Sequence, residues 1–395
     1  MKTIRIFRTR GLILAAALGV SVGFTSLAFA QNVSQSVIVN PDGKVTYLGT
    51  LGGSTSDINN AGINDAGQVV GDHYNPDVGS PHAFITGPNG VGMTDLGTLG
   101  GTNSDSSYSS YATGINDAGQ VVGRSSFDGG PLVHAFITGP NGVGMTDLGT
   151  LGGTDVFDSS GAYGINDAGQ VAGTSETADG SFHAFITGPD GIGLTDPGTL
   201  GGYSEARGIN DSGQVVGFSQ TAGGSTHVFI TGPDGIGMTD LGTLGGAYGE
   251  AFGINDSGQV VGYSDTADGF FHAFITGPNG VGMTDLGTLG GDDGSVAYGI
   301  NDAGQVVGFS QTAGGSSHAF ITGPNGMGMT DLNSIVDLPG GGYLRSAEGI
   351  NNLGQIIATV VIPEPASYAL MLAGLGLVGF MARRKRVPGN TVARG

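Results

Sequence analysis

Six histidines, His82, His134, His183, His227, His272 and His318, each open a His-Ala-Phe-Ile or His-Val-Phe-Ile tetrapeptide, so metal binding is the first chemistry to weigh. If the copies close into a ring, six imidazoles could circle its axis. Tetrahedral zinc needs ligands at roughly 2 Å, however, and equivalent residues of neighbouring copies approach that closely only if they line the axial channel itself. A hydrogen bond from each imidazole to a neighbouring backbone or side chain accounts for the repetition without a metal, and no metal site is assigned. A second recurrent pair, Asn64-Asp65 with Asn116-Asp117, Asn166-Asp167, Asn210-Asp211, Asn255-Asp256 and Asn301-Asp302, offers oxygen ligands to calcium. It lacks the dense alternation of acids found in dedicated calcium loops, and turn formation explains it without an ion. The Gly-Thr-Leu-Gly-Gly runs are followed by no Gly-Lys-Ser/Thr, so they read as strand exits rather than phosphate cradles.

Catalysis needs different groups converging on one point, which in a repetitive chain means a break in symmetry. No copy carries a unique Ser, His and acid set or a Gly-x-Ser-x-Gly elbow, and the Asp292-Asp293 pair sits in a variable segment with nothing to single it out. The chain has no cysteine and no tryptophan, which removes thiol chemistry and disulfides and weakens the case for a sugar-stacking platform. Between Gln31 and Ile362 the only cations are Lys44, Arg124, Arg207 and Arg345, against 32 Asp and Glu. Nucleic acid is therefore not an expected partner, because phosphate binding needs clustered Lys and Arg. If a binding face exists, the most variable loops, 102–112 and 154–162, are expected to form it.

The elements that position these residues follow from an internal repeat. Gly-Ile-Asn-Asp or its variant begins at Gly62, Gly114, Gly164, Gly208, Gly253, Gly299 and Gly349, with spacings of 52, 50, 44, 45, 46 and 50. The 80 glycines exclude helices as the main element, and no Gly-X-Y period points to collagen. Within residues 92–138 the reading is a first strand GMTDLGTL, a second SSYATGI, a tight NDAG turn, a third strand QVVGRSS and a fourth HAFITG, after which PNG turns the chain into the next unit. Four short strands in about 46 residues predict one blade of a β-propeller, with a β-solenoid as the other candidate. Strand counting favours the ring. The last copy lacks its fourth strand, and Val37, Ile38 and Val39 align with that missing strand, so the expected fold is an all-β, seven-bladed propeller closed by an N-terminal strand.

The two ends differ from this domain. Residues 1–30 combine basic Lys2, Arg5, Arg8 and Arg10, an apolar run and the small-x-small site Ala28-Phe29-Ala30, predicting a cleaved signal peptide and a mature start at Gln31. At the other end Pro363-Glu364-Pro365 precedes an uncharged stretch 366–382, long enough for a transmembrane helix, then Arg383, Arg384, Lys385 and Arg386 and a cytoplasmic tail 387–395. This arrangement resembles the PEP-CTERM sorting signal of exported bacterial proteins. The resemblance implies recognition by exosortase, a membrane-embedded cysteine protease or transpeptidase, with Pro363, Glu364 and Pro365 as the recognised residues. The tail after the basic run is longer than is common in that family. The repeat itself, through GINDAGQVVG, HAFI and DLGTLGG, resembles the HAF repeat of exported proteins over most of the chain. That likeness implies an extracellular setting and names no reaction or ligand.

The resulting expectation is a surface-sorted, non-catalytic protein that meets the secretion machinery, then exosortase, and acts in binding or in the matrix, with exopolysaccharide or surface proteins as partners. Two alternatives stand beside it: an extracellular glycan hydrolase or lyase working in the propeller channel, and a calcium-stabilised structural layer.

Overall fold

A computed structural model of the chain describes residues 33–362, apart from 51–55, 58–61, 76–78, 101–107, 127–131, 153–158 and 339–340, together with Leu375. The expected signal segment with its cleavage site, the Pro363-Glu364-Pro365 triplet, the apolar stretch 366–382 apart from Leu375, the basic run 383–386 and the tail 387–395 lie outside the described residues. Among the described residues no helix is long and apolar enough to cross a membrane. Ser34–Val361 forms one compact unit, built from strands and short 3-10 turns.

Turn chemistry sets the strand boundaries. In Asn116-Asp117-Ala118-Gly119 the amide of Gly119 bonds the Asn116 carbonyl at 2.9 Å, with Gly119 at a φ of 73° that a Cβ would strain. The Pro-Asn-Gly turn at Pro140–Gly142 is equally tight, and Asn141 takes the left-handed conformation at φ 55° that asparagine tolerates. Between such turns the strands Ser110–Ile115, Val121–Ser126, Val133–Thr138 and Met145–Gly149 pair antiparallel in that order. The unit therefore begins one strand later than the sequence reading has it. The turn at Pro140–Gly142 folds the chain back onto the same sheet, so Met145–Gly149 pairs with the His-Ala-Phe-Ile strand before it and ends that sheet. In three copies the residues after Leu-Gly-Gly belong to the first strand of the next array, Gly201–Ile209, Gly245–Ile254 and Gly290–Ile300. The GMTDLGTL strand is also shorter than expected, Met93–Asp95 in the copy used for the sequence reading.

Seven such four-stranded arrays occur among the described residues, two of them joined into one eight-stranded sheet by a parallel contact at Thr226 and Tyr248. The last array takes Tyr343–Ile350 and Ile356–Ile362 from the end of the domain and Val33–Val39 and Val45–Tyr47 from its start. Val37, Ile38 and Val39 thus supply the missing strand, and a second N-terminal strand follows them.

The core lies between neighbouring arrays. One cluster combines Val122, Ala135 and Ile137 of one array with Ala162, Val171 and Phe185 of the next, and the same pattern recurs round the unit. Each Phe of the His-Ala/Val-Phe-Ile strands is fully buried. Phe136 packs so closely on Gly123 that a Cβ there would lie 2.9 Å from its ring and 2.0 Å from the Tyr111 carbonyl, which is why this strand position is glycine.

Hydrogen bonds tie the arrays in sequence. The Nδ2 of Asn64 donates to the carbonyl of Asn116 at 3.0 Å, Asn116 to Asn166, Asn166 to Asn210, Asn210 to Asn255, Asn255 to Asn301, Asn301 to Asn351, and Asn351 back to Asn64 at 2.9 Å. A parallel series runs from the amide of Asp65 to Asp117 Oδ1 at 2.9 Å and returns from the amide of Asn352 to Asp65 Oδ1 at 2.8 Å.

Candidate functional site

The six histidines do not form a common site. Each donates or accepts through Nδ1 with the aspartate 13 residues on, in the last strand of its own array or, for Asp196, directly after it: His82 with Asp95 at 2.9 Å, His134 with Asp147, His183 with Asp196, His227 with Asp240, His272 with Asp285 and His318 with Asp331. The same carboxylate caps the turn that follows, as where Asp95 Oδ1 accepts from the Gly97 amide at 2.7 Å. Burial alone would push the Asp147 carboxyl up, but the bonds from His134 and the Gly149 amide hold it below the usual carboxylate range, and Asp331 behaves alike with His318 and Asn333. The pair is a latch for the short last strand. Its strength should follow burial: the His82 side chain is 2% exposed and that of His227 26%. We expect His82→Ala to lower stability by about 2 kcal/mol and His227→Ala by about 0.5 kcal/mol in urea denaturation, since a buried hydrogen-bonded group leaves its partner unsatisfied and an exposed one does not. Equal costs would show that the latch does not depend on exclusion of water.

The Asn-Asp turns do come together, around an axial depression of about 240 Å³ lined by Asn64, Asp65 and their equivalents through Asn352. There the asparagines are used up in the inter-array bonds, and the aspartates accept backbone amides. Burial pushes the Asp117 and Asp256 carboxyls up, with neighbouring aspartates adding to the effect and a backbone amide opposing it. Among the described residues no group of three or more His, Cys, Asp or Glu is placed to hold a metal ion. Asp292 and Asp293 fall within the strand Gly290–Ile300, and residues 102–107 and 154–158 of the two variable loops lie outside the described residues.

Convergent chemistry appears where the sequence reading found none. The strands Gly201–Ile209 and Gly245–Ile254 share the frame Ser/Gly-x-Ala-x-Gly-Ile, in which the small residues pack between arrays and the variable ones, Glu205, Arg207, Glu250 and Phe252, occupy the other face. Arg207 Nη2 lies 3.1 Å from Glu250 Oε1, and its Nε approaches Glu205 Oε1 at 2.8 Å, a charge contact outside hydrogen-bond alignment. Tyr203 donates to Glu205, and Tyr248 to Glu250 at 3.1 Å. Burial opposes the charge on Arg207, but the two glutamates and the neighbouring tyrosines hold its pKa above the ordinary arginine value. Burial raises Glu250 in spite of Arg207, and raises Tyr163, Tyr203 and Tyr263 as well.

Around these charges runs a band of half-buried rings. Phe182, Tyr203, Phe218, Tyr248 and Tyr263 follow one another with centroids 5.6–6.4 Å apart, and Phe252, Tyr298 and Phe309 extend the series from Tyr263. Arg207 also covers the Tyr163 ring at 4.6 Å. The sequence lends a stacking platform little support, since it has no tryptophan, but the fold brings rings of successive arrays side by side. A signal was present in the alternation Tyr203-x-Glu205-x-Arg207 and Tyr248-x-Glu250-x-Phe252 immediately before Gly-Ile.

With this geometry in hand, comparison with known proteins identifies residues 361–386 as a PEP-CTERM protein-sorting motif. The motif supports export, transient membrane anchoring and surface sorting, with exosortase as the processing partner. No curated protein matches the chain. Among solved structures, a puromycin-hydrolyzing peptidase from Mycobacterium tuberculosis is similar with a TM-score of 0.50 and 13% identity, over 75% of this chain and 48% of the peptidase. TolB from Acinetobacter baumannii gives a TM-score of 0.45 at 12% identity over 75% of this chain and 64% of that one, and a putative TolB from Agrobacterium tumefaciens 0.45 at 12% over 84% and 99%. This chain thus spans about half the length of the peptidase and somewhat under two thirds of the first TolB. The likeness at 0.50 supports a β-propeller-like fold and carries no activity across.

Proposed function

We propose that residues 31–362 form a closed seven-bladed β-propeller, exported, sorted to the cell surface, and used there to bind glycan without cleaving it. The observation that carries the binding reading is the band of half-buried rings from Phe182 to Phe309, confined to successive arrays of an otherwise repetitive domain. Flat aromatic faces suit the apolar faces of sugar rings, and a few polar groups among them fix orientation. Seven four-stranded arrays and bonds that return to Asn64 and Asp65 support closure. The hydrolase or lyase reading has less behind it: glycoside hydrolysis needs one carboxyl free to give a proton and a second to attack or activate water, while Glu205 and Glu250 are both held by Arg207. The calcium-layer reading draws no support from the Asn-Asp turns, which are occupied in holding the arrays together.

Sorting and binding are tested apart. Mass spectrometry of the mature protein is expected to find a start at Gln31 and loss of the segment after the Pro-Glu-Pro triplet, and a Pro363→Ala, Glu364→Gln, Pro365→Ala variant is expected to keep that segment. An identical tail in both would overturn the sorting reading.

A further inference from the structure

The seam between the last two arrays differs from the four seams that a serine closes. In the frame Ser-x-Ala-x-Gly-Ile the serine is buried and its Oγ accepts an amide of the preceding array: Ser110 from Ala83 at 2.9 Å, Ser160 from Ala135, Ser204 from Ala184 and Ser295 from Ala273. Those bonds close the seam between one array and the next. In the segment 344–350 the register sets buried Leu344 opposite Val360, where the other arrays pair that serine, as Ser110 with Ser125, and Arg345 is the extra residue beside it. The register of its strand shifts between Leu344 and Ser346, a bulge that turns Arg345 outward, and the residue is exposed.

A cleft of about 490 Å³ opens at this point, lined by Tyr298, Phe309, Ser317, Arg345, Ser346 and Glu348, with Thr359 at its wall. Two of these, Tyr298 and Phe309, 6.0 Å apart and tilted by 38°, are the last rings of the aromatic band. Glu348 accepts from Ser346, and burial with the Glu348 charge holds the Tyr298 hydroxyl protonated, so it stays a donor. The cleft has the size of a small-ligand site, with aromatic walls and a few hydroxyl groups.

Arg345 differs from the other three cations of the domain. Lys44 is bound to Asp42, Arg207 to Glu205 and Glu250, and Arg124 stacks on Tyr111 at 5.0 Å. None of the ion pairs among the described residues includes Arg345. A guanidinium lining an aromatic cleft is suited to a planar carboxylate, which it grips with two parallel N–H bonds. We infer that this cleft binds a carboxylate-bearing sugar, a uronate residue of a glycan chain, whose carboxylate meets Arg345 while its ring lies on Tyr298 and Phe309. The inference rests on the glycan-binding reading above and deepens it. The domain's net negative charge works against an anionic ligand at long range, but at physiological ionic strength that field is screened beyond about 8 Å, and the Arg345 contact is shorter.

The test uses the mature protein and two probes of one shape, tri-galacturonate and its methyl ester, in calorimetric titrations at physiological salt. Wild-type protein is expected to bind the acid at least about tenfold more tightly than the ester, as a charge-assisted bond is worth more than a neutral one. Arg345→Gln is expected to remove that preference at unchanged melting temperature, and Phe309→Ala to weaken both probes alike. Binding of both probes with equal affinity by the wild type, or a preference that survives in Arg345→Gln, would overturn the assignment of the cleft while leaving glycan binding intact. Failure to bind these probes together with maltotriose would remove both readings.

Discussion

Arg207→Met is expected to destabilise the domain by about 3–5 kcal/mol, because it removes the one cation between two buried carboxylates and leaves both uncompensated. Glu205 and Glu250 are each 6% exposed, so water cannot take over the role of the guanidinium. The sign of the pH dependence follows from Glu250, whose carboxyl burial already holds above the usual range. A carboxyl with a raised pKa costs stability where it must be charged, and that cost is relieved as pH falls and the proton returns. Urea denaturation should therefore show the largest deficit of the variant near pH 7 and a smaller one near pH 5. A triple change, Glu205→Met, Arg207→Met and Glu250→Met, removes the charges together and is expected to lie within about 1–2 kcal/mol of the wild type, since a buried ion network adds little net stability over apolar packing. A triple variant as unstable as Arg207→Met would mean that the strand depends on these polar contacts themselves.

How much of this could be read from the sequence depends on whether a feature is repeated. The period, the turns at Asn-Asp-Ala-Gly and Pro-Asn-Gly, and the role of Val37, Ile38 and Val39 were all legible, because each turn forces a reversal that hydrophobic spacing confirms. The strand phase was not, because a Pro-Asn-Gly turn looks the same whether it ends a sheet or continues it; only the pairing of Met145 with Thr138 decides the matter. The histidines were rightly read as hydrogen-bonded neighbours, yet their aspartate partners went unnamed although the 13-residue spacing is constant. The charged and aromatic band was hidden for a different reason. Arg207 and Glu250 are 43 positions apart in the chain and meet because first strands of successive arrays lie side by side, which no local pattern announces. Arg345 reads in the sequence only as one of four cations, since the bulge that sets it outside the strand register shows only in the pairing of Leu344 and Ser346.

Removal of residues 31–47 should have the largest effect of all, the loss of a single cooperative unfolding transition. Val33–Val39 and Val45–Tyr47 are the two N-terminal strands of the last array, and without them the strand Ile356–Ile362 has an open edge. Val37, Ile38 and Val39 are each no more than 3% exposed, and burying each such side chain is worth about 1.5–3 kcal/mol. Three of them approach the whole stability of an ordinary domain, roughly 5–15 kcal/mol. The bond from Gln355 Nε2 to Asn40 Oδ1 at 3.0 Å goes as well, and Phe84 and Ile357 lose the cover of Ile38. An unpaired edge with apolar neighbours also invites pairing with another chain, so the truncated protein is expected to sediment as larger aggregates than the full domain does. The control is a circular rearrangement in which residues 31–47 follow Ile362 through a short Gly-Ser linker. If closure is what these residues supply, the rearranged chain regains its melting transition, because the strands reach the same place from the other end. A truncated protein that melts within a few degrees of the full domain would show that the last array stands without them and that the bonds from Asn351 and Asn352 to Asn64 and Asp65 hold the ring by themselves.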